Sequence, residues 1–146
     1  MFKVKITKLT SNAIIPRYAQ IGDAGMDLFS VEDLVIQPCK ICLVHTGIVI
    51  ELPANTEAQV RSRSGLALNY GIVVLNSPGT IDEGYRGEIG VILINHGNDP
   101  FVVESGMRIA QLVVKPVFPV EFIEATVLSS SSRGDSGFGS SGIGLV

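Results

Sequence analysis

No stretch of the 146-residue chain is apolar for the roughly eighteen residues that a membrane-crossing helix needs. The first segment, Met1 to Thr10, sets lysines at alternate positions and lacks the basic-then-apolar order of a secretory leader. A cytoplasmic protein is therefore expected, or a nuclear one in a eukaryote. Positive charge is missing in bulk: the net charge is −3 and no long basic run occurs, which argues against direct nucleic-acid binding through phosphates. Cysteine is scarce. The two present, Cys39 and Cys42, form a lone C-x-x-C, and the second pair that a ribbon-type zinc site requires is absent. His45 completes a C-x-x-C-x-x-H spacing, which keeps a three-ligand metal site as an alternative. A redox pair would open a helix after a strand, whereas Pro38 precedes this pair and a β-branched residue follows close behind. Reduced thiols in a strand are the expectation. No internal repeat is visible, and only Ser64–Tyr70 reads as a helix.

What is present is a succession of short apolar runs. Hydrophobic residues make up 46% of the chain, enough for the core of one domain, and 16 glycines and 7 prolines punctuate the runs as turns. Strands are predicted over Lys3–Lys8, Leu34–Ile36, Ile41–Ile50, Glu57–Arg63, Ile72–Leu75, Gly90–Asn95, Phe101–Val103, Ile109–Pro116 and Val120–Glu124. Phe2, Val4 and Ile6 alternate with Lys3 and Lys5, the pattern of a half-buried edge strand whose lysines discourage unwanted pairing. The fold class is all-β, a distorted jelly roll or β-barrel over residues 1–128. From Ser129 the composition turns to serine and glycine. Residues 129–146 read as a flexible C-terminal arm with too few aliphatic side chains to build a core.

Five glycine-and-charge islands lie between the runs: Asp23–Leu28, Arg61–Ala67, Asn76–Glu88, Gly106–Gln111 and Arg133–Gly142. Arg63, Ser64 and Gly65 group a guanidinium, a hydroxyl and an open backbone N–H at the start of the helix. That grouping suits a phosphate; Ser64 acting only as a helix cap is the equal alternative. Gly137-x-Gly139-x-x-Gly142 matches a dinucleotide-binding spacing in form only, because that fingerprint needs a strand before it and a helix after it. The physics that survives is a glycine-rich loop able to wrap an anion. Arg133 supplies a cation, Ser140 and Ser141 supply hydroxyls, and Phe138 supplies a face for a planar base, on an arm able to close over a nucleotide. Asp82 follows the strand-like Thr80-Ile81 and neighbours Tyr85. A carboxylate so held can orient and deprotonate a water at a phosphorus centre; a surface acid on an ordinary hairpin is the alternative. Asp27, in a glycine turn, suits a magnesium-bound water or else an Asx turn.

In this order and spacing, the five islands resemble the five motifs of the trimeric dUTPase family, a likeness running from Ala24 to Gly142. Gly79–Asn95 resembles the third motif nearly throughout, and Arg133–Gly142 resembles the C-terminal arm. The resemblance implies hydrolysis of dUTP to dUMP and pyrophosphate, which limits uracil incorporation into DNA and supplies dUMP for dTMP synthesis. It implies Mg2+ as cofactor and a homotrimer whose sites lie at subunit interfaces, with the arm lent to a neighbour. By the same resemblance, Asp82 is the general base that activates water for attack on the α-phosphorus. Tyr85 packs against the deoxyribose and leaves no space for a 2′-hydroxyl. Asn76 and the backbone near Thr80, Ile81 and Gly90 form a β-hairpin that reads uracil, rejecting cytosine by its donor and acceptor pattern and thymine by its methyl. Arg63, Ser64, Gly65 and Gln111 hold the phosphate chain. Arg133, Phe138, Gly139, Ser140 and Ser141 come from the arm, with Phe138 over the uracil and Arg133 near the γ-phosphate. Asp27 reaches the magnesium through water.

Met26, Ser62, Asp135 and Ser141 depart from the residues common in that family, and Asp135 adds negative charge beside a phosphate loop. None of these removes a catalytic group. The dCTP deaminases resemble this family but carry a catalytic glutamate where Ile92 stands here, and an aliphatic side chain cannot shuttle protons. A module that only senses dUTP is a third reading, separable by assay. His45 and His96 are expected to be structural or solvated.

Overall fold

The computed structural model describes residues 3–140, 142 and 144. Among these residues the chain forms strands β1 (Lys5–Lys8), β2 (Met26–Phe29), β3 (Leu34–Ile36), β4 (Ile41–His45), β5 (Ile48–Glu51) and β6 (Thr56–Arg61). Helix α1 (Ser64–Tyr70) follows, and then β7 (Ile72–Val74), β8 (Gly79–Ile81), β9 (Gly90–Asn95), β10 (Phe101–Val103) and β11 (Arg108–Pro116). Named-strand pairings are all antiparallel and give four sheets, ordered β2-β11-β6-β8, β4-β9-β7, β1-β5 and β10-β3. The result is an all-β, jelly-roll-like fold in which no sheet closes into a barrel. No helix among the described residues is long and apolar enough to cross a membrane.

Period-two alternation decides which residues face the core. Val44, Ile48, Ile72, Val91, Leu93 and Val103 are all no more than 1% exposed. Burying each such side chain contributes about 1.5–3 kcal/mol. Polar residues join them at Ser30, Thr46, Thr56 and Asn95, the last fully buried at the end of β9. Its Nδ2 donates to the carbonyls of Ile36 and Asp99, each at 2.8 Å, and its Oδ1 accepts from the Gly97 N–H at 2.8 Å. A buried amide is tolerated when its donors and acceptor are satisfied in this way.

Several strand expectations change: Glu57–Arg63 runs over Thr56–Arg61, Ile72–Leu75 ends at Val74, and Ile109–Pro116 begins at Arg108. Ile41–Ile50 is not one strand but two, in different sheets, β4 on β9 and β5 on β1. The break is Gly47, at φ +65 with Thr10, Ala13 and Val31 crowding the position a Cβ would occupy, so only glycine fits this corner. Strand β2 was not expected, because most of it fell in the glycine-and-charge island Asp23–Leu28, while β8 was expected only as the strand-like Thr80-Ile81. Val120–Glu124 forms no strand. Phe118, Val120 and Phe122 are 81%, 77% and 96% exposed, and residues 117–140 hold neither helix nor strand. The N-terminal strand begins at Lys5 rather than Lys3, and Phe2 lies outside the described residues. Across β1 and β5, Lys5 faces Glu51 in register and donates to its carboxylate at 2.8 Å, which lowers the Glu51 pKa.

Cys42 sits half-buried in β4, whereas Cys39 lies in the preceding turn at φ +59 and is exposed, so only one of the two thiols is a strand residue. Both are free. Burial, with help from the Glu32 carboxylate, pushes the Cys42 thiol pKa up and disfavours its reactive thiolate.

Candidate active site

Strand β11 organises the first half of the site. Gln111 stands opposite Asp27 of β2 on one side and opposite Arg61 of β6 on the other. Beyond β6 the chain turns into α1, whose N-cap residue is Arg63, with extended backbone and no side-chain cap. Ser64 is therefore the first helical residue and caps nothing, which settles one of its two sequence readings. These elements enclose a cleft of about 520 Å³ lined by Asp27, Arg63, Ser64, Gly65, Gln111 and Arg108.

Inside the cleft Asp27 is the electrostatic centre. Its Oδ1 lies 3.2 Å from Arg63 Nε and its Oδ2 3.1 Å from Arg108 Nε, while its own side chain is only 13% exposed. A carboxylate so placed fixes two guanidinium groups whose remaining N–H donors stay available. Gln111 donates to the Ser62 carbonyl at 2.9 Å and lies directly over Gly25, where any Cβ would collide with its amide. The Ser62 hydroxyl in turn accepts from the Val74 N–H at 2.8 Å, which ties the approach to α1 onto β7.

Arg108 was not among the expected site residues. Strict alternation sets positions 108 and 111 on opposite faces, but a register shift between Arg108 and Ala110 absorbs one residue and turns both toward the cleft. The only sequence signal was its place in the island Gly106–Gln111.

The second half lies elsewhere on the chain. Thr80, Ile81, Asp82, Tyr85 and Gly90 line a smaller hollow of about 150 Å³, together with Glu88 and Ile89. Their segment is not the expected hairpin. Among the described residues β8 pairs with β6, and β9 pairs with β4 and β7, so residues 82–89 cross from one sheet to another. The Tyr85 N–H donates to the Asp82 carbonyl at 3.0 Å and closes a turn, and the Tyr85 hydroxyl donates to the Glu88 carbonyl at 3.0 Å. Asp82 is exposed, as is Asn76, which lies in the β7–β8 connection with its amide beside Gly79.

The arm residues join neither hollow. Arg133 Nε donates to the Ser136 carbonyl at 3.0 Å, and the Ser140 N–H donates to Gly137 at 3.0 Å, both local turns. Phe138 is fully exposed and Gly139 and Ser140 are exposed, while Ser141 lies outside the described residues. His45, by contrast, pairs with Glu88 at 2.9 Å, a structural role.

Comparison with known proteins identifies the family. The dUTPase family profile matches residues 11–142. The deoxyuridine 5'-triphosphate nucleotidohydrolase of Alkaliphilus metalliredigens is 59% identical over 143 residues, covering 98% of this chain and 99% of the relative. That of Clostridium tetani is 60% identical over 141 residues, covering 97% of each. Among solved structures, the Staphylococcus bacteriophage 80alpha dUTPase with dUPNHPP superposes with a TM-score of 0.90 at 28% identity, covering 97% of this chain and 99% of the phage chain. With the profile spanning nearly the whole chain and relatives near 60% identity, the protein belongs to the dUTPase family.

Proposed function

We propose that the protein hydrolyses dUTP to dUMP and pyrophosphate, with Asp82 activating the water that attacks the α-phosphorus. The observation that carries this reading is the Asp27-bridged arginine pair of the cleft, Arg63 and Arg108, beside Ser64, Gly65 and Gln111. Such a group offers fixed donors to a triphosphate in a membership already settled as dUTPase. Tyr85 then packs on the deoxyribose, and the backbone of Thr80, Ile81 and Gly90, with Asn76, reads the uracil edge.

Asp82 and Tyr85 line a different hollow from Arg63 and Gln111, which supports a site built from more than one copy of the chain. A homotrimer answers this, with one copy's cleft facing another's crossover segment and the arm lent to complete the pair. The exposed apolar strap from Phe118 to Leu128 supports such an assembly, since monomers seldom leave that much apolar surface in water. Arg133, Phe138, Gly139, Ser140 and Ser141 would close over the nucleotide and exclude water.

Magnesium fits the donors present. Mg2+ keeps most of its waters and takes few protein ligands when phosphates supply the rest. Among the described residues no cluster of three His, Cys, Asp or Glu ligands occurs, and both Asp27 oxygens already face guanidinium groups. Asp27 would therefore hold the ion through a water. When bound, the metal neutralises the charge that develops on the phosphate chain.

A pyrophosphate-release assay with dUTP, dCTP, dTTP and UTP in the presence of magnesium tests the reading. Turnover confined to dUTP is expected, and ammonia release from dCTP would replace it with deamination. Light scattering on the purified protein tests the trimer.

A further inference from the structure

The hollow that holds Asp82 and Tyr85 has a floor, Glu88 and Ile89, to which no role has yet been assigned. Glu88 does not only lend its carbonyl to the Tyr85 hydroxyl at 3.0 Å. Its carboxylate reaches across to the corner between β4 and β5, where Oε1 accepts from the Gly47 N–H at 2.7 Å and Oε2 meets His45 Nδ1 at 2.9 Å. The next residue is stitched to the same corner. The buried Thr46 hydroxyl donates to the Ile89 carbonyl, and the Ile89 N–H donates to the Ile48 carbonyl at 2.9 Å.

The corner itself is held from behind. Glu32 Oε1 accepts from the His45 N–H at 2.8 Å, the Val31 N–H donates to the His45 carbonyl at 3.0 Å, and Gly47 is boxed in by Thr10, Ala13 and Val31. Tyr85, for its part, lies over Gly87 so closely that a Cβ there would strike its ring and hydroxyl. The tyrosine's place is thus set by the backbone of residues 87 and 88, and that backbone is tied to the corner by the Glu88 carboxylate.

We infer that Glu88 is a positioning residue: clamped to the His45–Gly47 corner, it sets the height of the Tyr85 ring and so the discrimination between deoxyribose and ribose substrates. The inference rests on the proposed role of Tyr85 as the sugar platform. It assigns the precision of that platform to residues that do not touch substrate. A carboxylate with two partners holds a backbone segment in one place, where a side chain that merely filled space would let it slide.

The test compares Glu88→Ala, Glu88→Gln and His45→Ala in the full-length protein, with kcat/KM measured for dUTP and for UTP. The ratio of the two does not depend on how much of each preparation is active. Loss of the clamp removes charge-assisted hydrogen bonds, so Glu88→Ala is expected to raise KM for dUTP and to lower the dUTP-over-UTP ratio by about tenfold. Glu88→Gln retains an oxygen for Gly47 and an amide for Nδ1, and is expected to restore the ratio. His45→Ala removes one anchor of two from a partly exposed side chain, and is expected to lower the ratio by a smaller factor of about three. A Glu88→Ala protein with reduced thermal stability but unchanged KM and ratio would overturn the inference, as would a Glu88→Gln protein as impaired as Glu88→Ala. Amide hydrogen exchange at Gly47 and Ile89 reads the clamp without any substrate. Faster exchange in Glu88→Ala is expected, and unchanged exchange overturns the clamp. Failure of the wild type to turn over dUTP would strike the proposed activity alone, leaving the exchange result to judge the clamp.

Discussion

Arg63 and Arg108 share one carboxylate: each presents its Nε to a different oxygen of Asp27, at 3.2 and 3.1 Å, and the Arg63 guanidinium also donates to the Arg108 carbonyl at 3.3 Å. The two cations come from the N-cap of α1 and the start of β11 and are fixed side by side. Arg108→Ala is therefore expected to raise KM for dUTP about tenfold, the worth of one charge-assisted phosphate contact, while kcat changes less. Steady-state kinetics measures it, and an unchanged KM would remove Arg108 from the phosphate site.

Asp82→Asn keeps the size of the side chain and its place after β8 but cannot take a proton. Turnover is expected to fall by roughly 10²–10⁴, with dUTP affinity within a few-fold of wild type. Single-turnover rates alongside calorimetric titration separate the two quantities. Normal turnover would move the base elsewhere.

Removal of residues 133–146 is expected to leave the sheet pairings in place, because among the described residues this segment belongs to no strand and Arg133 and Ser140 bond within their own turns. The melting temperature is expected to stay within about 2 °C of the full chain, while dUTP turnover is lost. A melt that shifts strongly downward would make the segment part of the folded core.

Asn95→Ala is expected to cost about 1–3 kcal/mol in unfolding free energy, since it strands the buried carbonyl of Ile36 and removes the bonds to the partly buried Asp99 carbonyl and Gly97 N–H. Urea unfolding followed by circular dichroism measures it. A cost below about 0.5 kcal/mol would mean that water takes over these bonds.

The strands legible in the sequence are those that alternate cleanly and bury one face: Leu34–Ile36, Gly90–Asn95 and Phe101–Val103 have the bounds their residues suggest. Helix α1 also has its expected bounds. Strand β2, lying within a glycine-and-charge island, was invisible because its extended state comes from pairing with β11 and not from local preference. Val120–Glu124 shows the converse: β-prone residues that find no partner within the chain remain outside any strand. In the site, Asp27, Arg63, Ser64, Gly65 and Gln111 converge from three separate islands. Arg108 escaped notice because a bulge changes the face it presents, and no local pattern announces a bulge. The separation of the Asp82 hollow from the arginine cleft was not legible either, since motif order along a chain says nothing about distance in the fold.

Strand β11 has one further consequence. It is the shared ruler against which β2 and β6 are measured, with Gln111 aligned to both Asp27 and Arg61. Deleting or inserting a single codon within it would shift one neighbour by a pleat and turn its side chains to the opposite face. The gene should tolerate no change of length between codons 108 and 113.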